Sequence, residues 1–274
     1  MSWTKKLGAL VLAAGTLAGG ATASRAAALT PGDQSLIPIA AFTASGNTER
    51  LKGALEDGLR NGLTINEIKD ELVQMYAYTG FPRSLTALSV FMNLLNERRA
   101  QGITDTAGRE KSPVPQDRSV LERGTATQTA IVGHPVKGPL FEFSPDIDRY
   151  LKTHLFGDIF DSDLLTHKQR ELATVSALAA LPAPAQLASH LSCAMVVGLT
   201  EAQLRELAAT LRSQVGGKEA DLAEKTLDEI LKKKKSDEIV FPPGKNAFRK
   251  EAQNESYSRQ WKPASARLHL YGAR

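Results

Sequence analysis

The sequence predicts an all-α protein built from two helical repeats, on three observations: a self-match at a fixed offset, paired helix-start signals, and almost no β-branched alternation. At an offset of 136, Leu29-Thr30 matches Leu165-Thr166, Leu51 and Leu55 match Leu187 and Leu191, and Gly62-Leu63-Thr64 matches Gly198-Leu199-Thr200. Gly80 matches Gly216, and 11 of the 52 positions from 29 to 80 are identical without a gap. Thr64-x-x-Glu67, Thr166-x-x-Gln169 and Thr200-x-x-Gln203 are capping boxes. In each, a hydroxyl accepts from a free backbone N–H while the Glu or Gln reaches back to the cap.

The first repeat (29–100) divides into helices near 33–44, 47–61, 65–79 and 82–100, and the second (144–236) into helices near 167–180, 184–197, 201–214 and 218–235. Apolar side chains recur at helical spacing in the third helix of each, at Ile68, Leu72, Met75 and Tyr76 and at Leu204, Leu207, Ala208 and Leu211. Between the repeats, 101–143 is rich in Gly, Pro, Thr and charge and reads as a long connection. A further helix is expected at 145–155, leading into His154-Leu155-Phe156-Gly157-Asp158. A connection of this length is unusual inside one compact domain, so it is expected to wrap the partner repeat or to line a pocket.

The two ends read differently. Lys5 and Lys6 precede an apolar run from Leu7 to Gly20, followed by the small residues Ala21-Thr22-Ala23. That is the form of a cleavable export signal over 1–28, which implies a periplasmic or secreted mature protein. The run falls short of the roughly 20 residues that cross a bilayer, so no membrane association is expected after cleavage. The last stretch, 237–274, is a basic tail.

With 42% hydrophobic and 23% charged residues, the composition is that of a soluble globular chain. The net charge of +4 does not argue for a nucleic-acid partner. Residues 245–274 alone hold seven Lys/Arg against two Glu, which leaves the repeats slightly acidic. The single cysteine, Cys193, excludes an internal disulfide and a cysteine metal cage. His134, His154 and His167 share no metal-ligand spacing, so neither a metal nor another cofactor is expected.

Glu171 lies near the start of one predicted helix and His190 in the middle of the next. If a tight turn at Leu181–Pro184 makes these helices antiparallel, the two side chains stand about 6 Å out of level, within reach directly or through one water. A carboxylate there fixes the tautomer of the imidazole and raises its basicity. The pair then reads either as general acid–base machinery or as a satisfied core histidine. Cys193 follows on the same helix face, as a reactive thiol or as a small core residue. Asp158 either lines the same pocket as a substrate contact or serves a cap or turn. The first repeat carries Ser35 and Ala54 at the positions of Glu171 and His190, so it is expected to be structural and to cover the second repeat's pocket.

The run Arg170-Glu171-Leu172-Ala173-Thr174, Ala177-Leu178-Ala179-Ala180-Leu181, Gln186-Leu187-x-x-His190 and Gly198-Leu199-Thr200 resembles the carboxymuconolactone decarboxylase family. Phe156-Gly157-Asp158 resembles its lead-in, and Gly62 to Pro82 is similar to its second half. The resemblance implies an all-helical homo-oligomer, usually a trimer or hexamer; a tandem chain would assemble with half as many subunits. It also implies decarboxylation of a small carboxylate or lactone, with His190 as general acid/base and Glu171 orienting it. Alkylhydroperoxidase D of the same superfamily uses a Cys-x-x-Cys pair, whose positions are Ala183 and Gln186 here. Peroxide reduction in this chain would have to rest on Cys193 and an external reductant. A non-catalytic helical binding protein is the third reading.

Overall fold

The computed structural model describes residues 28–240, with side chains to 236; the export signal expected over 1–28, apart from its last residue, and most of the expected basic tail lie outside the described residues. Among the described residues, ten α-helices and one π-helix run in the order α1 (Pro31–Ser45), α2 (Thr48–Arg60), α3 (Ile65–Ala100), α4 (Val120–Val132), α5 (Pro139–Phe143), α6 (Pro145–Tyr150), the π-helix (Leu151–Ile159), α7 (His167–Ala180), α8 (Pro184–Val196), α9 (Glu201–Gln214) and α10 (Gly217–Val240). Among the described residues there is no strand. The fold is all-α with a tandem repeat.

Local signals set most boundaries. The boxes at Thr64, Thr166 and Thr200 form as expected, and Thr30 with Asp33 builds the counterpart of the Thr166 box. Gly80 (φ 77°, ψ 162°) breaks α3 into two arms, 65–79 and 82–100. A left-handed φ there is cheap only for glycine. It supplies the sharp bend that turns the second arm, with Pro82 starting it.

Two expectations change. The connection 101–143 is not all loop: it holds α4, capped by Ser119 with Glu122 and closed by the left-handed Gly133. Ser119-x-x-Glu122 is the same capping signal found elsewhere in the chain, and the surrounding Thr and Gly content obscured it. The helix expected at 145–155 runs on to Ile159, its second part as a π-helix. The loop before α4 is tied to both repeats. Thr106 and Ala107 carbonyls accept from the first N–H groups of α3, and Arg109 and Ser112 both bond Asp163.

The repeats interlock. α1 and α7, equivalent at the 136 offset, make the most extensive contact between elements. Ala40, Ala44, Ala173 and Ala177 are all fully buried at this crossing, where small side chains let helices approach closely. Ile37 and Ala41 of the first repeat lie in the core of the second, and Leu165 and Val215 pack into the core of the first. Asp33 Oδ1 accepts from Gln169 Nε2 at 3.1 Å, and these two residues are each other's counterparts. Arg170 pairs with Asp70 at 2.5 Å, while their counterparts Gln34 and Glu206 bond at 2.7 Å. A pseudo-twofold axis therefore passes between α1 and α7.

Candidate functional site

The hairpin of α7 and α8 brings the predicted pair together. His190 Nδ1 and Glu171 Oε2 are 2.9 Å apart, a direct hydrogen bond. Glu171 is wholly buried and the His190 side chain is 14% exposed. With the carboxylate accepting from Nδ1–H, the imidazole presents Nε2 as its free nitrogen. Glu171 Oε1 is buried without a hydrogen-bond partner.

Buried polar links hold Glu171 in place. The Arg170 side chain, itself fully buried, donates to Gln74 Oε1 at 2.9 Å and to the Ser162 carbonyl at 2.8 Å. Gln74 Nε2 in turn donates to Thr174 Oγ1 and to the Arg170 carbonyl, both at 2.9 Å. These bonds lock α7 to α3 directly beside Glu171. Held by Asp70, Gln74 and the Ser162 carbonyl through its two terminal nitrogens, with Nε unpartnered, the buried Arg170 charge is fixed, because breaking any of these bonds leaves a further unpaired group.

A residue that the sequence did not single out for chemistry completes the site. Tyr78, from the first repeat, sets the edge of its ring against His190, with centroids 5.5 Å apart at 81°. Its hydroxyl is buried, with the Thr174 side chain as its polar neighbour. Burial first, and then the Glu171 carboxylate, push the phenol well above its ordinary range, so it is a proton donor and not an anion. Only the fold shows this, because Tyr78 sits in the other repeat and nothing in the sequence sets it against His190. Through this side chain the first repeat contacts the pair in the second.

Cys193 stands on α8 beside this group and faces Ile131, Leu155, Phe156, Ile159 and Phe160. Burial, reinforced by Glu171, raises its thiol far above the usual value. Of the two readings the sequence left open for Cys193, desolvation and the carboxylate favour the core residue over the reactive thiol, because they keep the thiol protonated.

Asp158 belongs to a separate cluster. Its Oδ2 is 3.0 Å from His154 Nδ1, and His154 Nε2 is 2.6 Å from the Tyr76 hydroxyl. Tyr76 stacks on Phe81 with centroids 4.1 Å apart. Asp158 thus orients His154 across the π-helix and pins that helix to α3; it has no bond to Glu171 or His190. Among the described residues, no three His, Cys, Asp or Glu side chains come together as a metal-holding group.

A tandem helical fold with one internal carboxylate–imidazole hairpin defines a class of small all-α proteins. The Carboxymuconolactone decarboxylase family model matches residues 10–92 and 145–229, one match per repeat, and the chain belongs to that family. No curated protein matches the chain.

Proposed function

We propose that this chain is an exported enzyme that decarboxylates a small carboxylate or lactone without a cofactor, with His190 as general acid/base. The observation that carries this reading is the direct 2.9 Å bond between His190 and the buried Glu171. In the step envisaged, the C–C bond to the carboxylate breaks, CO2 leaves, and the electron pair spreads into an enolate. Protonated His190 then delivers the proton from Nε2 to carbon, and Glu171 stabilises the imidazolium before the transfer. The Tyr78 hydroxyl, buried and held protonated, is suited to donate to the enolate oxygen. Export is the part of the reading that rests on the sequence of residues 1–28 alone: Lys5 and Lys6, the Leu7 to Gly20 run and the small residues after it.

The reading extends to assembly with further copies of the chain. Phe81, just before the second arm of α3, and Leu85 and Met92 within it are each more than half exposed and recur at helical spacing, an apolar surface for such contacts. The antioxidant alternative is weaker, because Cys193 is buried and held protonated and no second thiol exists in the chain. The test is CO2 release from carboxymuconolactone. His190→Ala should lower kcat at least tenfold with the melting temperature kept; an unchanged rate would overturn the acid–base role.

A further inference from the structure

The pseudo-twofold axis relates the Glu171–His190 site to a place in the first repeat, and that place is an open cavity of about 400 Å³. Ser35 and Ala54 line it where the second repeat has Glu171 and His190, and Asp57 stands at the counterpart of Cys193. Gln214, contributed by the second repeat, takes the place of Tyr78. The site geometry is therefore kept while its chemistry is exchanged. Ser35 Oγ is already committed, donating to the Pro31 carbonyl and accepting from Asn61 Nδ2, both at 2.9 Å. No acid–base pair exists here.

What the cavity does hold is a fixed cation. Arg50 lines it, with its guanidinium 4.4 Å above the Phe42 ring. Nη1 donates to the Val215 carbonyl at 2.8 Å and Nη2 to the Gln214 carbonyl, at the carbonyl end of α9. Among the described residues no carboxylate pairs with Arg50, whereas Asp57, along the same helix, is paired with Arg60 at 3.3 Å. A guanidinium immobilised by carbonyls and an aromatic face keeps further N–H donors free, and planar carboxylates match their geometry. Little ordering cost is left for a ligand to meet. Arg50, Ala54, Asp57 and Asn61 follow one another at helical spacing on one face of α2. The cation and Asp57 are thus two turns apart, about 10 Å. A small cyclic carboxylate fits that stripe, its ring over Ala54 and a polar group toward Asp57 and Asn61.

We propose that the first repeat is a non-catalytic binding site for a small hydroxylated carboxylate, anchored by Arg50. This does not depend on whether the second repeat decarboxylates anything. Gly53 supplies a block: it lines the cavity and a Cβ added there meets nothing within 4 Å, so the backbone accepts a larger side chain at that position.

The test is calorimetric titration of the full chain with 4-hydroxybenzoate as probe and 4-hydroxybenzamide as its neutral counterpart. Saturable binding of the acid is expected at millimolar concentration or below, at least tenfold tighter than the amide. Arg50→Gln and Gly53→Leu should each weaken it at least tenfold, and His190→Ala should leave it within twofold. Gly53→Leu decides the matter if Arg50→Gln loosens α2. Absence of binding, equal binding by the amide, indifference to Gly53→Leu, or loss in His190→Ala alone would each overturn the proposal.

Discussion

Glu71 lies on α3 with both carboxylate oxygens buried and without hydrogen-bond partners. Burial raises its pKa well above 4.5. An acid whose folded-state pKa is raised holds its proton longer when folded, so its stability contribution is complete below about pH 4.5 and is lost as pH climbs through the folded value. Glu71→Met, which keeps the volume and removes the titration, should therefore be more stable than the wild type at about pH 8. That advantage should shrink as pH falls toward 4.5, read by urea denaturation at several pH values. No periodicity marks Glu71 in the sequence, because its position on the helix face is an ordinary core one. The Glu171–His190 pair was legible for the opposite reason: a helical hairpin of known turn length converts sequence spacing into distance. The settings of Tyr78 and Cys193 were not legible, since both depend on which element arrives from elsewhere in the chain.

At the scale of elements, the same residue type has opposite consequences in two helices. A Cβ on Gly124 of α4 would fall 1.6 Å from the Lys152 carbonyl oxygen of the π-helix and 2.8 Å from the Gly157 nitrogen, both of them backbone. Gly124→Ala should cost about 3 kcal/mol through this clash, because neither backbone can give way. Gly53→Ala, on the open face of α2, should stabilise by about 0.5–1 kcal/mol through helix propensity alone. Parallel thermal melts of the two variants check both signs. α4 is also where reading by composition failed, since the Gly and Thr that suggested loop are what let it approach the π-helix. Arg123 then fixes the approach by donating from Nε to Asp161 Oδ2 at 3.0 Å. The capping boxes, being local, were readable wherever the first turn supplied both partners.

At the scale of the whole molecule, the offset of 136 was visible, yet it did not show that the halves exchange core residues. Asp70 and Arg170 tie the repeats across the axis through a buried ion pair, and Gln34 with Glu206 does so through a bond with a neutral donor. Asp70→Ala strands a wholly buried guanidinium and should cost about 3–5 kcal/mol. Gln34→Ala, its counterpart, should cost only about 1 kcal/mol. Urea denaturation of both variants measures that asymmetry directly.

The covalent join of the two halves has one more consequence. In a homodimer with a true twofold axis, every substitution appears twice, so a change that suits one cavity is imposed on the other. Here each position across the axis is encoded separately. Ser35 and Ala54 on one side and Glu171 and His190 on the other are that freedom in use. A single chain can thus hold a buried carboxylate–imidazole pair and a differently charged cavity at a fixed separation, which two identical subunits meeting on that axis cannot do.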